Sequence, residues 1–175
     1  MDWDAYEVYD PGTAGPLHAM PRAEARRAFK HLMSAKESRI DALRKLLKAN
    51  GIELTRSDAG IQDLNDWFRT NVQPDPRDPE RLLPEWYSVV NDIALFLGDV
   101  LISRHPNLRW ELFTSGARNT SYQRHVIMGF RQNADPQSNL DIDVAVAIYG
   151  HRVIAGESVD EEAFWKWLRN AGEQA

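Results

Sequence analysis

The sequence predicts an α+β fold, mostly helical, with an antiparallel β-hairpin packed on a long buried central helix. Three observations carry this expectation. Apolar residues recur at three-and-four spacing through 21–50 and 57–72. The segment 84–104 is apolar around most of its circumference. Two short alternating runs, NLRWELF and RHVIMGF, flank the polar insert TSGARNTSYQ.

The first helix opens at Pro21, since proline suits the first helical position, and stops at Asn50-Gly51. Phe29, Leu32, Met33, Ile40, Leu43 and Leu47 form its core stripe. Ser57 or Asp58 can cap a second helix, which buries Ile61, Leu64, Trp67, Phe68 and Val72 and can form a helical hairpin with the first. Pro74, Pro76, Pro79 and Pro84 then predict an irregular connection, because each proline removes a backbone donor and restrains its predecessor. The chain is read as one domain, 1–175, made of a helical half at 21–72, this connection at 73–83, and a helix, hairpin and terminal helices at 84–172.

The third helix runs to about Arg104. It leaves only a narrow polar stripe of Ser88, Asp92, Asp99 and Ser103, read as its solvent edge. The hairpin follows, with Leu108, Trp110 and Leu112 on one side of its first strand and Arg109, Glu111 and Phe113 on the other. The segment LDIDVAVAIYGHRVIAG satisfies both a strand and a helix; an aspartate cap and small alanines favour a helix at 143–154. A last helix, anchored by Phe164, Trp167 and Leu168, follows a cluster of acids.

With 43% hydrophobic and 27% charged residues, the composition is that of a globular chain and not a disordered one. The absence of cysteine excludes disulfides, thiolate metal sites and a cysteine nucleophile. The first 16 residues show no basic-then-apolar leader, and the apolar stretch 86–102 is broken by Asn91, Asp92 and Asp99. A cytoplasmic protein without membrane contact is the expectation. Residues 21–50 carry nine basic against three acidic side chains in a chain of net charge −5. That basic helix can track phosphates in a nucleic-acid-associated or ligand-binding regulator, or can pair with the acidic remainder; the low overall pI favours the second.

No phosphate loop, dinucleotide fingerprint, nucleophile elbow or H-E-x-x-H motif is present. Asn133, Asp135, Gln137, Asn139 and Asp141 alternate as in a calcium loop, but Ser138 replaces the turn glycine and Val144 the bidentate glutamate, leaving a polar turn. No cofactor or metal is assigned. Within TSGARNTSYQR, Arg118 and Arg124 can grip an anion, Asn119 can orient it, and Tyr122 offers an aromatic surface, so these four form the candidate partner-binding set. The alternative is an acid-base or metal site built from His125 and His151 with Asp141 or Asp143, in a small hydrolase or metal-dependent enzyme.

The succession PRAEARRAFKHLM, SDAGIQDLNDWF, EWYSVVNDIALFLGDVLISRHPNLRWELF and YGHRVIAG resembles a group of small uncharacterised bacterial α+β proteins, to which no activity is attached. The central LGDVLISRHPNLRWELF is also similar to domains among bacterial toxin-immunity proteins. This second likeness implies a non-enzymatic module that captures another protein, with the acidic body suited to a basic partner.

Overall fold

A computed structural model describes residues 1–175 except Asp4, Ala5, Ala14, Asn133, Ala134 and Pro136. Among the described residues, five helices and two small antiparallel sheets form an α+β arrangement. In chain order these are α1 (Arg22–Ala49), α2 (Asp58–Asn71), β1 (Pro74–Asp75), β2 (Asp78–Leu82), α3 (Pro84–Arg104), β3 (Arg109–Leu112), β4 (His125–Met128), α4 (Ile142–Ile154) and α5 (Ala163–Gly172). A 3-10 turn at Leu17–Ala19 precedes them.

α3 is the axle of the fold. It packs against α1, α4 and α5, and Trp86, Val89, Ile93, Leu97 and Val100 are fully or almost fully buried along it. By length and composition it could also cross a bilayer; here most of it is buried as the core helix. α2 packs on α5 instead of forming the expected hairpin with α1. The reason lies in Asn65, a buried side chain of α2 whose amide donates to Glu161 O (2.8 Å) and whose Oδ1 accepts from Phe164 N (3.1 Å). A buried amide needs such partners, and the start of α5 supplies them.

The proline-rich connection is not irregular. β1 and β2 pair antiparallel, Pro74 opposite Leu82 and Asp75 opposite Asp78, with a register shift between Pro74 and Asp75. In a two-stranded ribbon both strands are edges, so a missing N–H costs nothing where it would face outward. The tip is tied by Arg77, whose backbone N and guanidinium both donate to the Asp75 carboxylate.

The hairpin of β3 and β4 pairs Trp110 with Ile127 and Leu112 with His125. Directly opposed residues share a face, so Trp110, Leu112, His125 and Ile127 lie together on one side. That side meets α3 closely: a methyl group at Gly98 would run into the Trp110 indole. α4 begins where Asp141 Oδ1 accepts from Val144 N (3.0 Å), the aspartate cap that favoured a helix over a strand here.

The polar stripe of α3 is the clearest departure from expectation. Ser88 and Asp92 are buried and Asp99 is only 9% exposed, so of this edge only Ser103 faces water. It faces α1. Arg39 grips Asp92 through Nε to Oδ1 (2.9 Å) and Nη2 to Oδ2 (2.6 Å), and Lys36 Nζ reaches both oxygens of Asp99 at 2.7 and 2.6 Å. Two carboxylates seven residues apart on α3 thus meet two cations three residues apart on α1. Tyr6 donates to Asp92 Oδ2 (2.6 Å), Ser88 Oγ accepts from Tyr9 N (2.8 Å), and Arg39 Nη1 donates to Glu7 O (2.8 Å). Burial, with Asp92 beside it, pushes the Tyr6 hydroxyl far above the usual tyrosine range and keeps it a donor. The network therefore fastens the amino-terminal segment to the α1–α3 seam.

Candidate functional site

Beyond that seam the amino-terminal segment crosses an open space. Tyr9, Pro11, Thr13, Gly15 and Leu17, every second residue of the strap, line one wall of a chamber of about 470 Å³. Ala25, Ala28, Phe29 and Leu32 of α1, Val90 of α3, Leu112 of β3, and Val144, Ala147 and Ile148 of α4 make the rest of its apolar lining. Its volume falls in the ordinary range for small-molecule sites. Tyr87 and Ile148 line it and are also solvent-exposed, which marks the open side. The strap is held at its two ends, by the Arg39–Asp92 network and by Gln123, with Gly12 and Gly15 in the left-handed region between them (φ +65° and +88°).

Gln123 closes the far end. Its amide Nε2 donates to Leu17 O (2.7 Å) and Met20 O (2.9 Å), which fixes the amide orientation because both partners are acceptors. Its backbone N donates to Phe113 O at 2.6 Å. Among the described residues it is the one non-glycine with positive φ (+60°), a conformation that costs roughly 1–2 kcal/mol and persists only where the surroundings impose it. The result is a side chain 1% exposed whose Oε1 has no hydrogen-bond partner among the described residues.

Two residues on, His125 enters β4 on the face turned inward, 7% exposed and also lining the chamber. Its Nε2 likewise has no partner among the described residues. Burial pushes its pKa below the ordinary histidine range; Asp143 pulls it back and Arg124 opposes Asp143, so the imidazole is held neutral. Neutral imidazole can donate or accept at Nε2 according to its tautomer.

Arg124 is half-buried and separate from the exposed loop tip. Its guanidinium turns to the start of α4, with Nε donating to Asp141 Oδ2 (2.7 Å) and Nη2 to Asp143 Oδ2. Asp141 holds Arg124 with one oxygen and caps α4 with the other. Arg118 and Asn119 are exposed on the loop tip, where Asn119 Oδ1 accepts from Ser121 N (2.9 Å). Tyr122 is half-buried, while Ser121 and Gln123 are buried, so the insert is solvated only across 116–120.

The alternative set is partly brought together: His125, Asp143 and His151 line the same chamber. Their polar atoms are differently employed. Both aspartates hold Arg124, and His151 contacts Glu80 O through Nδ1 (3.0 Å) and Tyr87 Oη through Nε2 (3.5 Å). Among the described residues no group of three or more His, Asp or Glu is arranged to hold a metal ion. Of the calcium-like run, Asn133 lies outside the described residues, and Asp135 Oδ1 accepts from Gln137 N in a turn.

No family model matches the chain, and no curated protein or solved structure is significantly similar to it.

Proposed function

We propose that the protein is a non-enzymatic binding module for a small apolar molecule held beneath the amino-terminal strap. The observation that carries this reading is the chamber itself: about 470 Å³, apolar on most of its walls, spanned by a segment pinned at both ends.

The test uses N-phenyl-1-naphthylamine, a neutral apolar dye that fluoresces when taken from water. Saturable one-to-one enhancement is expected, lost when Ala147→Trp or Ala28→Phe fills the space. Undiminished binding in both folded variants, read by thermal unfolding, would place the dye elsewhere and end this reading.

A second reading, capture of another protein by the hairpin insert, is favoured by the exposure of 116–120, with Arg118 as its anchor. An acidic body suits a basic partner.

A further inference from the structure

The ligand's chemistry follows from the polar end of the chamber, and the inference rests on the chamber being a binding site. Gln123 Oε1 and His125 Nε2 are buried polar atoms without a protein partner among the described residues, and both residues line that space. Leaving such an atom unpaired carries a desolvation cost, so two from one short stretch of chain are an unusual pair to keep. Gln123 moreover holds a left-handed backbone at this end of the chamber.

Chemistry narrows what can serve them. A carbonyl oxygen accepts only, so the ligand must bring a donor to Gln123. A neutral imidazole at His125 offers either a donor or an acceptor. A hydroxyl can satisfy both kinds of partner. Charge narrows it further. Arg124 and Asp143 both line the chamber, and the guanidinium is already held by Asp141 and Asp143. Among the described residues no uncommitted arginine or lysine lines the chamber, so a carboxylate or phosphate head would be desolvated without a cation to receive it. Chain-like apolar contacts with Phe29, Leu32, Val90 and Val144 account for the remainder of the ligand.

We propose that the chamber takes a neutral, largely apolar alcohol or phenol, its hydroxyl seated on Gln123 Oε1 and His125 Nε2.

Three compounds of one size separate the possibilities when titrated calorimetrically into the full chain at pH 7: 4-butylphenol, which donates; 4-butylanisole, which only accepts; and 4-butylbenzoate, which is anionic. The phenol is expected to bind at least about tenfold tighter than either of the others, because an analogue without the donor leaves buried acceptors unpaired. In His125→Phe that advantage should shrink severalfold while anisole binding stays. Equal binding of phenol and anisole would overturn the hydroxyl assignment and leave the chamber standing, its polar atoms then served by water. Preference for the benzoate would overturn the neutral-ligand assignment. Failure of all three to bind would remove the chamber as a site and this inference with it.

Discussion

Two buried polar systems lie at the two ends of the strap, and they are built to opposite rules. On the α1–α3 seam, Arg39, Asp92, Tyr6 and Ser88 satisfy one another, and none of their buried side-chain atoms is left without a partner. At the chamber, Gln123 and His125 are as deeply buried but each keeps one polar atom unpaired. A closed network fixes geometry and offers nothing to a ligand; an open one carries a standing cost that a ligand's polar group can relieve. Burial of charge is therefore a poor guide to the working site in this molecule; Trp67, Arg69, Glu85 and Trp86 also keep a buried polar atom unpaired, and what singles out Gln123 and His125 is that they line the apolar chamber.

The comparison breaks most visibly at Arg39. Replacing it by Met leaves Asp92 buried without its bidentate partner and should cost about 3–5 kcal/mol in chemical denaturation, whereas Arg39→Met with Asp92→Leu should recover most of that loss. A double variant as unstable as the single one would show that packing, not charge, accounts for the effect. Lys36→Met should cost less, about 1.5–3 kcal/mol, because Asp99 keeps the Trp110 indole N–H (3.2 Å) and a little water.

The chamber should respond with the opposite sign. His125→Phe removes an unpaired polar atom and keeps the ring volume, so stability at pH 7 should change by no more than about 1 kcal/mol and can rise. The effect of pH sharpens this. Because the folded-state pKa of His125 lies below the unfolded value, the unfolded chain binds the proton first, and stability falls as pH drops through the ordinary histidine range near 6.5. The slope from this one group is at most about 1.4 kcal/mol per pH unit and should vanish from the urea-unfolding profile of His125→Phe. A variant that keeps the same slope would assign it to other groups.

Smallest of all is the expected effect at the loop tip. Arg118→Ala should alter stability by less than about 0.5 kcal/mol and leave dye binding in the chamber unchanged. If the second reading of the function holds, the same change should weaken capture of a protein partner by about 2 kcal/mol or more. Unaltered capture would clear the insert of that role.

The sequence foretold the parts of this picture that depend on neighbours along the chain. Alternation around TSGARNTSYQ marked the hairpin, and an aspartate before small alanines marked α4, whose cap is Asp141. What depends on distant partners was invisible. Asp92 and Asp99 look like a solvent edge because Arg39 and Lys36, the residues that bury with them, lie 53 and 63 positions away. The prolines of 74–79 hid a ribbon because backbone chemistry forbids interior strands more firmly than edges. Gln123 escaped notice because nothing in its side chain announces a left-handed backbone, which glycine or asparagine would have done. Arg124 was grouped with Arg118 by sequence proximity, yet six positions further along the chain its guanidinium turns toward the start of α4.

The claim that the unpaired groups lining the chamber mark the working site is tested most directly by the side-chain nitrogen spectrum of uniformly labelled protein, recorded with and without saturating 4-butylphenol. The account predicts that the His125 Nε2 resonance moves on binding while the Arg39 guanidinium resonances stay in place. Movement at Arg39 with His125 unchanged would contradict it.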